Sequence, residues 1–419
     1  MKILILNTSE SLGGAAIAAN RLMKALVNNG IEAKTLVLNK QTDDENVISI
    51  QSSFLKKQLA RLYFLWERWV IFVHNRFCRK NLFKVSIANT GFDVSEHPMV
   101  KEADVIHIHW INQGFLSLKG IKKIVQSGKP VVWTLHDMWA STGICHYPKS
   151  CEKYKIECCD CPMLIYGKSN DLANKIFDRK RIVNLNRIHY VGCSHWIAET
   201  VERSRLLKNA NIISIPNPID IKIFFPKDKN AVRKKLQLPA DKRLLLFSAA
   251  KISDTRKGGH YFIDACKLIS EKYPEFAQTV EIVCMGKGDE TFFSDIKITT
   301  HILHYISNES ELADAYSSVD AFVIPSLEDN LPNTIMESMA CGTPCVGFKT
   351  GGIPEMIDHQ QNGYVAEYKS VKDLAQGIYW ILNESDYNEI SNNARKKVEN
   401  CYSEEIVAKQ YINLYRKLL

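Results

Sequence analysis

The 419-residue chain predicts an α/β fold built from two doubly wound, Rossmann-like domains. Three observations lead there. The length exceeds what a single hydrophobic core usually serves. Short, nearly continuous apolar runs, suited to parallel strands buried on both faces, alternate with segments of helical period. The alternation runs through twice, interrupted by a Pro-rich turn at Ile215–Asp220 and a polar stretch from Lys229 to Lys242.

In the first series KILILN (Lys2–Asn7) is a strand, followed by a Gly13-Gly14 turn and a helix that stops at Gly30. Thr35–Asn39, Asp104–Trp110, Pro130–Leu135 and His189–Ser194 are the next strands. The second series has strands at Arg243–Ala250, Val280–Gly286, Asp320–Pro325 and Pro344–Phe348, with helices at Gly258–Lys272, Ser310–Ser318 and after Asp329. The chain from about Asp386 to Leu419 reads as helix. The expected division is residues 1–220, residues 221–400, and a last helix over 401–419 that packs back on the first domain.

An apolar content of 46% is that of a globular protein. The opening MKILILNTSE is too short in apolar residues for a signal peptide. No uncharged apolar run reaches membrane-spanning length, so the expected location is the cytoplasm, with the inner face of the cell membrane left open. Of the net charge of +8, the segment Phe54–Lys84 supplies +7, from eight Lys/Arg and the single acid Glu67. No basic module of a nucleic-acid binder is present, so no nucleic-acid partner is expected. Trp66 and Trp69 among Lys56, Lys57, Arg61 and Arg68 suit a helix lying on anionic lipid. An ordinary amphipathic helix with a solvated basic edge fits the same residues.

The stretch PSLEDNLPNTIMESMACGTP (Pro325–Pro344) sets Glu328, Asp329 and Glu337 around the start of a helix. Acids that cap a helix start are common. The same residues also suit a sugar nucleotide. A carboxylate accepts hydrogen bonds from two neighbouring hydroxyls, and helix N-terminal amides attract an anion. Further motifs accompany this one. Asp329, seven intervening residues and Glu337, then Gly-Thr-Pro, resemble the signature of the retaining family 4 glycosyltransferases with the GT-B fold. Ile215-Pro-Asn-Pro-Ile-Asp220 is similar to that family's inter-domain turn, Arg256-Lys257-Gly258 to its donor-phosphate Lys-Gly, and Gly351-Gly352-Ile-Pro-Glu355 to its Gly-Gly-x-x-Glu. The chain departs from the family by carrying Asp at 329 in place of Glu, and Asn330-Leu331-Pro332 in place of Gly-Phe-Gly.

The resemblance implies two domains facing a cleft, a nucleoside diphosphate sugar as donor, and a glycan or lipid-linked acceptor, as in bacterial capsule, exopolysaccharide or O-antigen synthesis. It implies no catalytic metal. It gives Asp329 the hydroxyls of the transferred sugar, with Glu328 second in line, and Glu337 the ribose diol. Asn330, Thr334 and the amides near Thr334 and Ile335 lie toward the diphosphate. Lys257, helped by Arg256, meets the leaving phosphate, where negative charge develops. Gly14 belongs to the glycine-rich loop that approaches donor and acceptor. His136, closing the strand Pro130–Leu135, points toward the transferred sugar, with Asp137 able to orient its ring or to cap the next segment. His136, Asp329 and Lys257 form the catalytic set. No carboxylate nucleophile is in evidence, so attack from the leaving-group face is implied. Two other readings are a nucleotide-sugar epimerase of the same fold and a non-catalytic glycan- or lipid-binding subunit.

His107 and His109 stand two apart on one strand and share a face. Packing accounts for His107, and His109 is left open. Five of the twelve cysteines, Cys145, Cys151, Cys158, Cys159 and Cys161, crowd into the insertion at 141–165. A reducing compartment disfavours disulfides. Cys145, Cys151, Cys158 and Cys161 suit a structural zinc site, with His146 and Cys159 in reserve.

Overall fold

The computed structural model describes residues 1–183, 185–288 and 290–419. They form two compact units, Met1–Pro218 together with Val407–Leu419, and Ile219–Ile406.

The first unit is built on seven parallel strands: β1 (Lys2–Ser9), β2 (Glu32–Asn39), β3 (Val47–Ser49), β4 (Val105–Ile108), β5 (Val131–Leu135), β6 (His189–Gly192) and β7 (Asn211–Ser214). Their order is β3-β2-β1-β4-β5-β6-β7. β1, β4 and β5 lie in the middle and are buried along almost their whole length, as their continuous apolar runs require. The second unit has β8 (Arg243–Lys251), β9 (Val280–Lys287), β10 (Thr300–Leu303), β11 (Ala321–Ile324), β12 (Cys345–Phe348) and β13 (Gly363–Ala366), in the order β10-β9-β8-β11-β12-β13. In each sheet the order reverses beside the first strand, and ligands bind beyond the strand ends at such a switch point.

The tail is two helices, Tyr387–Cys401 and Glu404–Leu418. The break has a local cause. Ile219 donates its N–H to Tyr402 O and accepts from Glu404 N–H, so the chain is drawn into a short parallel bridge at Ser403. The last helix then joins the first unit. Val407, Tyr411, Ile412 and Tyr415 pack with Ile3, Ile5, Val105, Val132 and Val191.

The polar stretch after the Pro-rich turn is more than a surface connector. Its helix, Lys229–Lys235, is riveted to the second unit by charge. The Arg233 guanidinium is 4% exposed; it meets Asp320 at 2.7 Å and donates to the carbonyls of Ser318, Ala240 and Lys242. Lys229 takes the other oxygen of Asp320 at 2.7 Å, and Asp320 also accepts from Leu244 N–H at the entry of β8. A buried guanidinium with four of its five N–H donors engaged is costly to break from one side. Arg233→Met should therefore destabilise this unit by about 3 kcal/mol, seen as a lower urea midpoint. A loss below about 1 kcal/mol would mean that Lys229 alone satisfies Asp320.

Candidate active site

In the second unit the motif residues converge where β8 and β11 end. After β8 the chain makes a tight turn, Thr255–Lys257, capped by the Asp254 side chain on Arg256 N–H, and the helix Gly259–Lys272 follows. Gly258 links them with φ +69°, and a Cβ there would fall 1.9 Å from Pro325 O. Only glycine lets this turn lie against the segment leaving β11. On the other side Gly351, φ +57°, sits where a Cβ would come within 1.6 Å of Asp329 O. Gly352 N–H donates to Asn330 O at 2.8 Å, and Leu327 N–H to Arg256 O at 2.8 Å. The loop carrying Glu328, Asp329 and Asn330 is thus clamped between two glycine turns that lie far apart in sequence.

The clamp brings Lys257 Nζ to 2.5 Å from Asp329 Oδ2. Ser326 donates to the same oxygen at 3.2 Å, and the Arg256 guanidinium lies 4.0 Å away while donating to Glu328 O at 2.8 Å. Of the two adjacent acids, it is Asp329 whose carboxylate meets the lysine. Burial works to raise its pKa. The charges of Lys257 and Arg256, with the hydrogen bonds from Lys257 and Ser326, outweigh burial and hold it below the usual value of 3.8.

The next helix, Asn333–Ala340, begins at Pro332 without a side-chain cap. Thr334 is partly buried in the first turn. Ile335 N–H is used locally, on Pro332 O at 3.1 Å, which removes that amide from the set expected to face an anion. Glu337 is 4% exposed and accepts from Tyr316 OH at 3.2 Å. Burial, with the adjacent Glu337 charge, keeps that phenol protonated and able to donate.

In the first unit, Gly13 (φ +95°) turns the chain from β1 into the helix Gly14–Asn28. At the end of β5, His136 Nε2 lies 2.9 Å from His109 Nδ1, with the rings stacked. Burial lowers the His136 pKa to about 4, against the opposing pull of Asp137, and drives His109 well below 6.5. Both rings are neutral near pH 7, so one proton lies between them. Asp137 does not orient His136. Its carboxylate accepts from Trp110 Nε1 at 2.9 Å, from His146 Nδ1 at 2.6 Å and from Trp139 N–H at 2.8 Å, and so caps the next turn. The neighbour of His136 is instead His109, whose role the sequence left open; the single clue was its place at the carboxyl end of a central strand. His109 Nε2 and Asn112 Oδ1 are buried without hydrogen-bond partners and line the same small cavity as His136. His107 belongs to the core, bonded to Tyr415 OH at 2.6 Å and Thr134 Oγ1 at 2.8 Å.

The basic segment forms a helix, Phe54–His74. Arg68 is withdrawn from its surface. It pairs with buried Glu67 at 2.8 Å and donates to Val85 O, while Glu67 accepts the N–H groups of Ile87 and Ala88. Trp66 and Trp69 are about half exposed and stack on each other at 5.0 Å, and Phe54, Leu55 and Leu62 are also exposed. Among the described residues no helix is long and apolar enough to cross a membrane, and no group of three or more His, Cys, Asp or Glu side chains stands ready to hold a metal ion.

Two parallel-sheet units of alternating strand and helix are the architecture of the GT-B glycosyltransferases. Anabaena HepE in complex with UDP superposes on the chain with a TM-score of 0.64, covering 100% of both chains at 16% identity; HepE is also solved with UDP-glucose. Residues 12–223, just over half of the chain, match the family described as Glycosyltransferase Family 4, and residues 242–384 match Glycosyl transferases group 1. The chain belongs to glycosyltransferase family 4. An uncharacterized glycosyltransferase of Methanocaldococcus jannaschii is 24% identical over 97% of this chain and 94% of its own. The putative colanic acid biosynthesis glycosyl transferase WcaC of Escherichia coli is 22% identical over 100% of both. With other curated relatives the match spans 54–63% of their length.

The Asp329 carboxylate is stabilised by its folded surroundings, so its contribution to stability is present above its unfolded pKa near 3.8 and is lost as pH falls through the lower folded value. Lys257→Met removes the largest opposing charge and leaves burial to act. The acid limb of the thermal-stability profile should then move to higher pH. An unchanged limb would show that Arg256 and Ser326 suffice.

Proposed function

We propose that the protein is a retaining glycosyltransferase that moves a sugar from a nucleoside diphosphate to a glycan or lipid-linked acceptor in bacterial surface-polysaccharide synthesis. The Lys257–Asp329 pair, clamped in the loop after β11 with Glu337 buried one turn into the next helix, carries this reading. A cation and a polar carboxylate held together where strands end suit a phosphate and the hydroxyls of the sugar attached to it. The UDP and UDP-glucose complexes of HepE, and the naming of WcaC as a colanic acid biosynthesis glycosyl transferase, support the donor and pathway class.

On this reading Lys257 and Arg256 turn toward the diphosphate when donor enters, and Asp329 exchanges the ammonium for sugar hydroxyls. Asn330 and the amide of Thr334 adjoin the phosphates, and Glu337 takes the ribose diol. The bond from the anomeric carbon to the phosphate oxygen breaks. The acceptor oxygen forms its bond on the same face, and its proton passes to the departing phosphate. Charge gathering on that phosphate is met by Lys257 and Arg256 in place of a divalent metal. His136, neutral near pH 7, offers a hydrogen bond to the transferred sugar, and Gly14 leaves room for the ligand beside its loop.

Lys257→Ala and Glu337→Gln should each lower transfer by about a hundredfold or more, with circular dichroism unchanged. His136→Ala should lower kcat more than donor affinity. A thermal-shift panel of nucleotide sugars names the donor, since a ligand that binds the native state raises Tm. Wild-type rates in the lysine and glutamate variants would overturn the site. Interconversion of donors without acceptor would mark an epimerase, and donor binding without turnover a non-catalytic subunit.

The lipid-linked form of acceptor rests on the helix Phe54–His74. Its exposed Trp66, Trp69, Leu55 and Leu62, beside Lys56, Lys57 and Arg61, complement an anionic lipid surface. The protein should pellet with anionic vesicles at low salt and be released as salt screens the attraction. Equal pelleting with neutral lipid, or none with either, would remove the membrane from the proposal.

A further inference from the structure

The insertion after His136 has almost no regular structure, only the short turns Trp139–Ser141 and Lys153–Lys155 before the helix that starts at Leu172. It is fastened to the first unit by a few buried side chains, Ile144, Cys145, Tyr154, Cys161, Met163 and Leu164. Free cysteines are often buried as small apolar groups, which would explain Cys145 and Cys161. It does not explain why Cys151 and Cys158, both partly exposed, face the same cavity.

Three further features single out this group. Cys145, Cys151, Cys158 and Cys161 all line one small cavity, together with Thr142, Gly143 and Ala173. Cys159 also borders it. Two of the sulfurs receive backbone donors: Gly143 N–H reaches Cys158 Sγ at 3.2 Å, and Met163 N–H serves Cys161. Amide donors aimed at sulfur favour the thiolate over the thiol. Finally, Lys180 is 1% exposed, and its Nζ lies over the Trp139 ring and donates to the carbonyls of Trp139 and Thr142. Among the described residues no carboxylate forms an ion pair with it. A buried cation without an anion is costly: burial pulls the Lys180 pKa down to about 7, against the opposing charges of Cys158, Cys145 and Asp137.

We infer that Cys145, Cys151, Cys158 and Cys161 bind one structural zinc ion that holds the insertion together, with Lys180 as its buried counter-charge. Zinc with four thiolates is a closed tetrahedral centre with a double negative charge, so a neighbouring ammonium offsets part of it. On binding, four S–H bonds give way to four Zn–S bonds and the protons pass to solvent, with no electron transferred. The four cysteines border one cavity, and binding the ion would draw their sulfurs together. His146 is not a ligand, because both its nitrogens are engaged, with Asp137 at 2.6 Å and Ser86 Oγ at 3.0 Å.

The test is elemental analysis and native-state thiol titration of the full chain, purified without a metal-affinity tag. About one zinc per chain is expected, with the four thiols unreactive until the ion is released by a chelator. Cys159→Ser should keep the zinc and Cys151→Ser should lose it. Lys180→Met should weaken retention against a competing chelator by about tenfold or more. Should Cys151→Ser fail to fold, chelation of the wild-type protein still decides. Zinc far below one equivalent, whether the native thiols titrate freely or appear only after a reductant, overturns the inference. Full retention in Cys151→Ser and Lys180→Met does so as well.

Discussion

The contact between Lys257 and Asp329 is the constraint on which the candidate site depends. Taking a carboxylate out of water is expensive unless charge and hydrogen bonds replace the lost solvent. Here an ammonium at 2.5 Å, a guanidinium and a serine hydroxyl do so, and they keep the acid ionised. The pair can form because two glycine turns, at Gly258 and Gly351, press on the loop between them where any side chain would collide with backbone oxygen. Mutual fit of three loops thus sets the position of one carboxylate. On the function proposed, the same pair would offer a cation for phosphate and an acceptor for hydroxyls.

Charge does comparable structural work elsewhere. Arg233 and Asp320 tie the helix after the Pro-rich turn to the entry of β8. Glu67 and Arg68 anchor the helix Phe54–His74 through the backbone of residues 82–88, which leaves its aromatic side outward. Each is a buried ion pair that also reaches backbone groups, though Arg68 Nε is buried without a hydrogen-bond partner. Such pairs specify one arrangement more than they add stability.

The histidines of the first unit illustrate how equally buried neighbours divide labour by the partners each meets. His107 and His109 occupy one face of β4 and its end, yet His107 is locked between Tyr415 and Thr134 while His109 meets His136. The helix at the chain's end therefore reaches, through Tyr415 and His107, the strand that carries the histidine pair.

The central strands were legible in the sequence, because strands buried on both faces must be continuously apolar. So were the motif residues, whose chemistry and spacing resemble a known family. The strands that escaped, β3, β7, β10 and β13, are the four edges of the two sheets. An edge strand pairs on one side only, and β3, β7 and β10 keep partial exposure, so their short runs are broken by polar residues, while β13 is buried but only four residues long. Tertiary structure alone decided three further matters: that Asp137 serves His146 and not His136, that Arg68 turns inward, and that the tail breaks at Ser403. Asp137 meets Trp110 and His146, Arg68 meets Leu82 and Val85, and Ser403 bridges to Ile219, and periodicity and spacing carry no information about which of these groups will meet.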